Sequence, residues 1–249
     1  MAAVDPDPSA AATDSANSFS RVVGVLFSPK PTFESIARRP SWIVPVILGC
    51  LFFIAIVLIF THRGGWPSFF EKQAASSSRM QRLSTEQRQG IIDKQIQFAP
   101  AFGCFESVVV PFLSALIVAA LLLVVFNLSG AAKVNFKTSL GIVAYAWVPW
   151  LVHGTLTILI LFLKEPATVD LQNPVASNPG AVLPDDTSKW LVALLSSVDI
   201  FAIWTMILLA IGFSAAYPKK LSFGKAFALV AISWIFFVAI KVGIVAAFS

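Results

Sequence analysis

Residues 102–126 read FGCFESVVVPFLSALIVAALLLVVF, an apolar run in which Glu106 is the one charged side chain. A bilayer hydrocarbon core about 30 Å thick is crossed by about 20 residues of helix, and this run is longer than that. Four further stretches share its character, at about 42–60, 138–163, 190–216 and 225–248. Lipid offers nothing to a bare backbone N–H or C=O, so only helices or closed barrels cross it. Barrel strands need about 9–11 residues, far fewer than these stretches contain. The chain reads as an all-α polytopic membrane protein, a bundle of five transmembrane helices occupying residues 19–249.

Composition points the same way. Of 249 residues, 57% are hydrophobic and 12% charged, against about 25% charged in soluble domains. The net charge of +5 is no nucleic-acid footprint. Its basic residues lie in short segments beside the spans, where they orient the chain and meet anionic headgroups. The expected partner is the lipid bilayer, with no nucleic acid. Residues 1–18 are small, polar and mildly acidic and lack the basic and apolar regions of a signal peptide. They read as a disordered tail, which leaves the first span as an uncleaved insertion signal. Cys50 is near the middle of span one and Cys104 at the start of span two. That difference in depth exceeds the roughly 7 Å Cα limit for a disulfide, so both read as small buried apolar residues.

With the N-terminus inside, the inner segments carry Arg21, Lys30, Arg38 and Arg39, then Lys133 and Lys137, then Lys219, Lys220 and Lys225. These inner loops are short and lysine-rich, the setting in which the positive-inside rule is strongest. The segment 164–189 is long, proline-rich and net acidic, as suits a translocated loop. Residues 61–101 also carry basic residues, but these are spread out and mixed with Glu71, Glu86 and Asp93. The expectation is a bacterial inner (cell) membrane protein with its N-terminus cytoplasmic and its C-terminus outside.

Two segments outside the spans are amphipathic. In 19–38, Val22, Val23, Leu26 and Phe27 form one apolar face, and Phe33 and Ile36 form another beyond a break at Pro29 and Pro31. Flanked by basic residues, this N-terminal helical segment is expected in the membrane interface. In 83–97, Ser84 and Gln87 have capping-box spacing and predict a helical connector resting on the outer face.

Three blocks carry a resemblance. They are FSPKPTFESIARRPSWIVPVIL (27–48), FKTSLGIVAYAWVPWLV (136–152) and VDIFAIWTMILLAIGFSAAYPKKLSFGKAFALV (198–230). Within them, Pro29, Phe33 and Pro45, then Ala144–Tyr145–Ala146 with Pro149, then Asp199, Trp204 and Gly212 stand in family order. The chain resembles the bacterial branch of the Yip (Ypt-interacting protein) domain family. The resemblance implies a compact five-helix bundle, a cytosolic N-terminus and a scaffolding, membrane-organising or trafficking-related role. Eukaryotic members associate with prenylated small GTPases through a region bearing an Asp-Leu-Tyr-Gly-Pro segment. Residues 1–41 contain no such segment, which leaves small-GTPase binding doubtful here.

Catalytic patterns are missing from the sequence. There is no phosphate loop, no His-Glu-x-x-His and no Cys-x-x-Cys, and the two histidines are His62 and His153. No enzyme activity, cofactor or metal is expected. Two function classes remain. One is a non-catalytic scaffold or membrane organiser; the other is a small transporter or channel-like permease using intramembrane polar residues, with Pro111 and Pro149 kinking spans two and three. No discontinuous span is evident to support the second.

The intramembrane polar residues fall at one depth. His153, Asp199 and Lys241 each lie about 12–15 Å below the same side of the membrane, at about 1.5 Å of rise per residue. An ionised Asp in lipid needs a partner, and His153 is the expected one, on a stripe with Tyr145, Pro149 and Thr157. His153, Asp199, Lys241 and Tyr145 form the candidate cluster. Span five offers Ala239, Gly243 and Ala247 at four-residue spacing, a small face expected to pack against another span or, alternatively, to form a homo-oligomer seam. Trp147, Trp204 and Trp234 read as bulky core filler.

Overall fold

The computed structural model describes residues 8–184 and 186–247, and every regular element in them is helical. Among the described residues four helices are long and apolar enough to cross a membrane, and a fifth stretch meets the same criteria as a bent pair of helices. The N-terminal part comprises α1 (Pro8–Phe27) and α2 (Pro29–Arg38). The break between them follows from Pro29 and Pro31, which lack the N–H that would continue α1 but suit a first turn. α1 begins inside the stretch expected to be a disordered tail; residues 1–7 of that stretch lie outside the described residues.

The segment 19–38 is not a free surface helix. Val25, Phe33 and Ile36 are fully buried, and Val22 nearly so, so this face packs on protein rather than lipid. The reason lies in small residues on the spans. A Cβ on Gly212 would stand 2.5 Å from Ile142 and 3.0 Å from Phe33, and one on Gly141 would meet Ile36 at 3.3 Å. Those glycines let α2 settle against the bundle. On α1, Phe19, Val23 and Phe27 form an exposed apolar stripe opposite this face.

Span one is α3 (Ile43–His62), followed by α4 (Trp66–Ala75) and the single turn α5 (Ser78–Gln81). Phe60, buried, meets Trp66 edge-on at 5.0 Å between ring centroids, which folds α4 back beside the end of α3. Next comes α6 (Thr85–Leu128). Ser84 Oγ accepts from Gln87 N and Ser84 N donates to Gln87 Oε1, both at 3.2 Å, so the capping box starts the helix where the spacing predicts. No stop signal follows, and the helix passes Pro100 and Pro111 without interruption. The connector at 83–97 is therefore the first part of span two, not a separate surface helix.

Span three is divided at Trp147 into α7 (Phe136–Ala146) and α8 (Val148–Leu163). Pro149 explains the break, since it cannot donate to the carbonyl of Tyr145. α7 is buried along its length after Lys137. It packs on the small residues Ala115 and Ala119 of α6, and Ser139 Oγ donates to the Ala119 carbonyl at 2.7 Å.

Span four is not one helix. α9 (Lys189–Leu195) and α10 (Ile200–Ala216) meet at 46° across residues 196–199. α11 (Phe223–Ala247) closes the bundle. Phe213 of α10 stacks on Phe126 of α6 with centroids 4.2 Å apart, at the centre of the largest buried cluster.

Candidate functional site

The break in span four originates in Asp199. Its Oδ1 accepts from the backbone N–H groups of Phe201 at 2.7 Å and Ala202 at 3.3 Å, so Asp199 is the N-cap of α10. A side chain that satisfies the first N–H groups of a helix competes with continuation of the helix before it. The same carboxylate takes two more donors through Oδ2, the Ser177 hydroxyl and Asn178 Nδ2 at 3.4 Å. Asn178 and Asn173 exchange amide hydrogen bonds at 3.0 and 3.2 Å. The proline-rich loop after α8 is thus folded inward and held at the N-terminus of α10.

Next to this junction is a cavity of about 630 Å³, within the range typical of small-molecule pockets. α3 lines it with Pro45, Gly49, Phe52 and Ile56, which share one helix face. α6 adds Val110, Pro111 and Ser114; α8 adds Trp150, His153, Gly154 and Thr157. Leu171, Gln172 and Asn173 of the loop, with Ser196 and Asp199 of the broken span and Lys241 of α11, complete it. Apolar groups occupy the end near the start of α3, and polar groups the end under the loop.

His153, Asp199 and Lys241 all line this one cavity, but they are not joined to each other. Among the described residues no hydrogen bond links His153 to Asp199. The imidazole instead lies between Trp150, 5.4 Å away, and Phe201, which it meets edge-on at 5.1 Å. Lys241 Nζ donates to Ser197 Oγ at 3.0 Å, tying α11 to the break in span four. The expected Asp199–His153 clamp is thus replaced by a helix cap. Tyr145 belongs elsewhere. It lies across the Trp147 break, fully buried, donating to the Ser18 carbonyl at 3.2 Å and bonded to Ser41 Oγ at 3.3 Å. Arg21 completes that second polar group, donating to Ser41 Oγ, Ser35 Oγ and the Arg39 carbonyl.

The small face of span five points away from the bundle. Ala239, Gly243 and Ala247 are exposed, and a Cβ on Gly243 would meet nothing within 4 Å. Because Lys241 and Val238 face inward, the opposite side of α11 faces out, and the expected internal packing on Gly243 does not occur. Trp147, Trp204 and Trp234 all pack on the core as expected, and Trp147 also lines the cavity. Cys50 and Cys104 are free thiols. Among the described residues no three His, Cys, Asp or Glu side chains converge as a metal site would.

Sequence reading missed Ser177, Asn178 and Ser197. Signals for them existed: two Asn-Pro pairs mark turns at 173–174 and 178–179, and Ser-Ser-Val-Asp before an apolar run is an N-cap pattern. A family model described as the Yip1 domain matches residues 23–244. The chain belongs to the Yip1 domain family. The match takes in α2 through nearly all of α11, so the cavity falls within the Yip1 domain, as do Tyr145, Ser35 and Ser41 of the second polar group, whereas Ser18 and Arg21 precede it. Neither the comparison with curated proteins nor that with solved structures yields a match.

Proposed function

We propose that this Yip1-domain protein is a non-catalytic membrane organiser whose bundle holds a binding chamber rather than a reaction centre. The observation that carries this reading is the state of Asp199. Its two oxygens take four donors in a cap, so this carboxylate holds a helix start and a loop and is not free to act as a general base. The exposed stripe Phe19, Val23 and Phe27 on α1 and the small face of α11 support lateral contacts with lipid, other membrane proteins or a second copy. The orientation proposed is N-terminus cytoplasmic and C-terminus outside, in a bacterial inner membrane.

A second reading has one observation in its favour. Span four is discontinuous beside the cavity, and broken helices often form transporter sites. Proteoliposome flux assays combined with pull-down from native membranes separate the two. Stable membrane partners without solute flux are expected; saturable flux without stable partners overturns the organiser reading in favour of a permease.

A further inference from the structure

We infer that the cavity binds an acyl-chain amphiphile with an anionic head, its charge held at Lys241 and its chain along Phe52, Ile56 and Pro111. This rests on the cavity being a binding chamber and not a permeation path. Three observations carry it, and each concerns a different property of the ligand.

Charge comes first. Asp199 lines the cavity, yet its carboxylate is taken up by two backbone N–H groups, Ser177 and Asn178. Lys241 is in the opposite state. An ammonium has three N–H donors, and here one goes to the neutral hydroxyl of Ser197. Among the described residues no carboxylate pairs with it. A cation at membrane depth is expensive without a counter-charge, and a ligand carboxylate or phosphate supplies one. Gln172 and Ser196 stand at the same polar end to hydrogen-bond a head group.

Shape comes second. The cavity wall on α3 runs from Pro45 to Ile56, about 16 Å at about 1.5 Å per residue. That matches the hydrocarbon depth of one leaflet, about 15 Å or half the core thickness. The wall along this length is mainly aromatic and aliphatic, with Phe52, Val110, Pro111 and Leu151. Access comes third. Phe53 and Val110 line the cavity and are still about half exposed, so its apolar part reaches the surface that lies in hydrocarbon. An acyl chain enters there without crossing water.

Fatty acids and anionic phospholipids share this chemistry. The test is quenching of tryptophan fluorescence in the purified full chain by brominated acyl probes, since Trp147 and Trp150 line the cavity. Dibromostearate, a phosphatidylglycerol with brominated chains and the neutral dibromostearyl alcohol are titrated in parallel. The anionic probes are expected to quench saturably, with the alcohol about tenfold weaker or more. Lys241→Met weakens the anionic probes by about tenfold or more and leaves the alcohol unchanged. A Cβ on Gly49 meets nothing within 4 Å, so Gly49→Phe fills the chamber and abolishes saturable quenching with parent-like melting. If that variant fails to fold, Gly49→Val is the smaller plug, and weaker quenching is expected. Tighter binding of dibromostearate assigns a carboxylate head and tighter phosphatidylglycerol a phosphodiester; either supports the inference. Equal quenching by anionic and neutral probes, or indifference to Lys241→Met, overturns it. Transfer of the probes across proteoliposomes instead overturns the chamber reading, whereas absent binding with absent flux removes only the ligand.

Discussion

The Ser177 hydroxyl donates to Oδ2 of Asp199, and the backbone N–H of Ile200 returns a hydrogen bond of 3.2 Å to the Ser177 carbonyl. This pairing joins a loop to the start of a helix inside the bundle. It makes one carboxylate responsible for the bend in span four and for the position of the loop over the cavity.

Asp199→Ala is therefore expected to destabilise more than Asp199→Asn. Asn is as good an N-cap as Asp, and its amide oxygen still accepts from Phe201, Ala202 or Ser177. Loss of the cap alone is worth about 1 kcal/mol, and the orphaned loop donors add to it. Thermal melting in detergent reads the difference. Equal melting temperatures for the two variants would show that the cap contributes nothing.

Gly212→Ala is expected to destabilise the bundle by about 1–3 kcal/mol, because the added methyl runs into Ile142 and Phe33. Gly243→Leu, at an open position, is expected to leave melting of the monomer unchanged. Should the order be reversed, the packing of α2 over α7 and α10 is wrong. A change in cross-linked dimer with Gly243→Leu would place its face in a homo-oligomer.

Tyr145→Phe removes the hydroxyl that reaches Ser41 and the Ser18 carbonyl, at about 1 kcal/mol. Arg21→Met removes hydrogen bonds to Ser35, Ser41 and Arg39, so its effect should be larger. The measurement is hydrogen exchange over residues 18–41. Both variants should exchange faster there while residues 102–126 stay protected; unchanged exchange would mean that α1 and α2 are held by apolar packing alone.

Val182 is 82% exposed in the loop before α9. In a chain with Cys50 and Cys104 replaced by Ala, Val182→Cys should react with an impermeant maleimide applied outside intact cells. Labelling that requires lysis would invert the proposed orientation.

The all-α membrane class and the apolar helices that could cross a bilayer were legible in the sequence, because an apolar run of about 20 residues has one stable fate in lipid. So were the capping box at Ser84 and the break at Pro149, since both act within four residues along the chain. Family membership rested on blocks that were also local, and the Yip1 match spans them. Rise per residue alone led to the expectation that His153, Asp199 and Lys241 lie near one another, and all three line one cavity. What each touches was decided elsewhere. Asp199 meets Ser177, 22 residues away, and Lys241 meets Ser197, 44 residues away. Tyr145 reaches Ser18 across 127 residues. Helical periodicity gives a residue's face but not which element will cover it. That depends on where small residues such as Gly141 and Gly212 let helices approach, and a hydrogen bond forms only after that approach is made. The outward turn of Gly243 was settled at the same level: Lys241 lines the cavity and donates to Ser197, and Gly243 lies on the opposite, exposed face of α11.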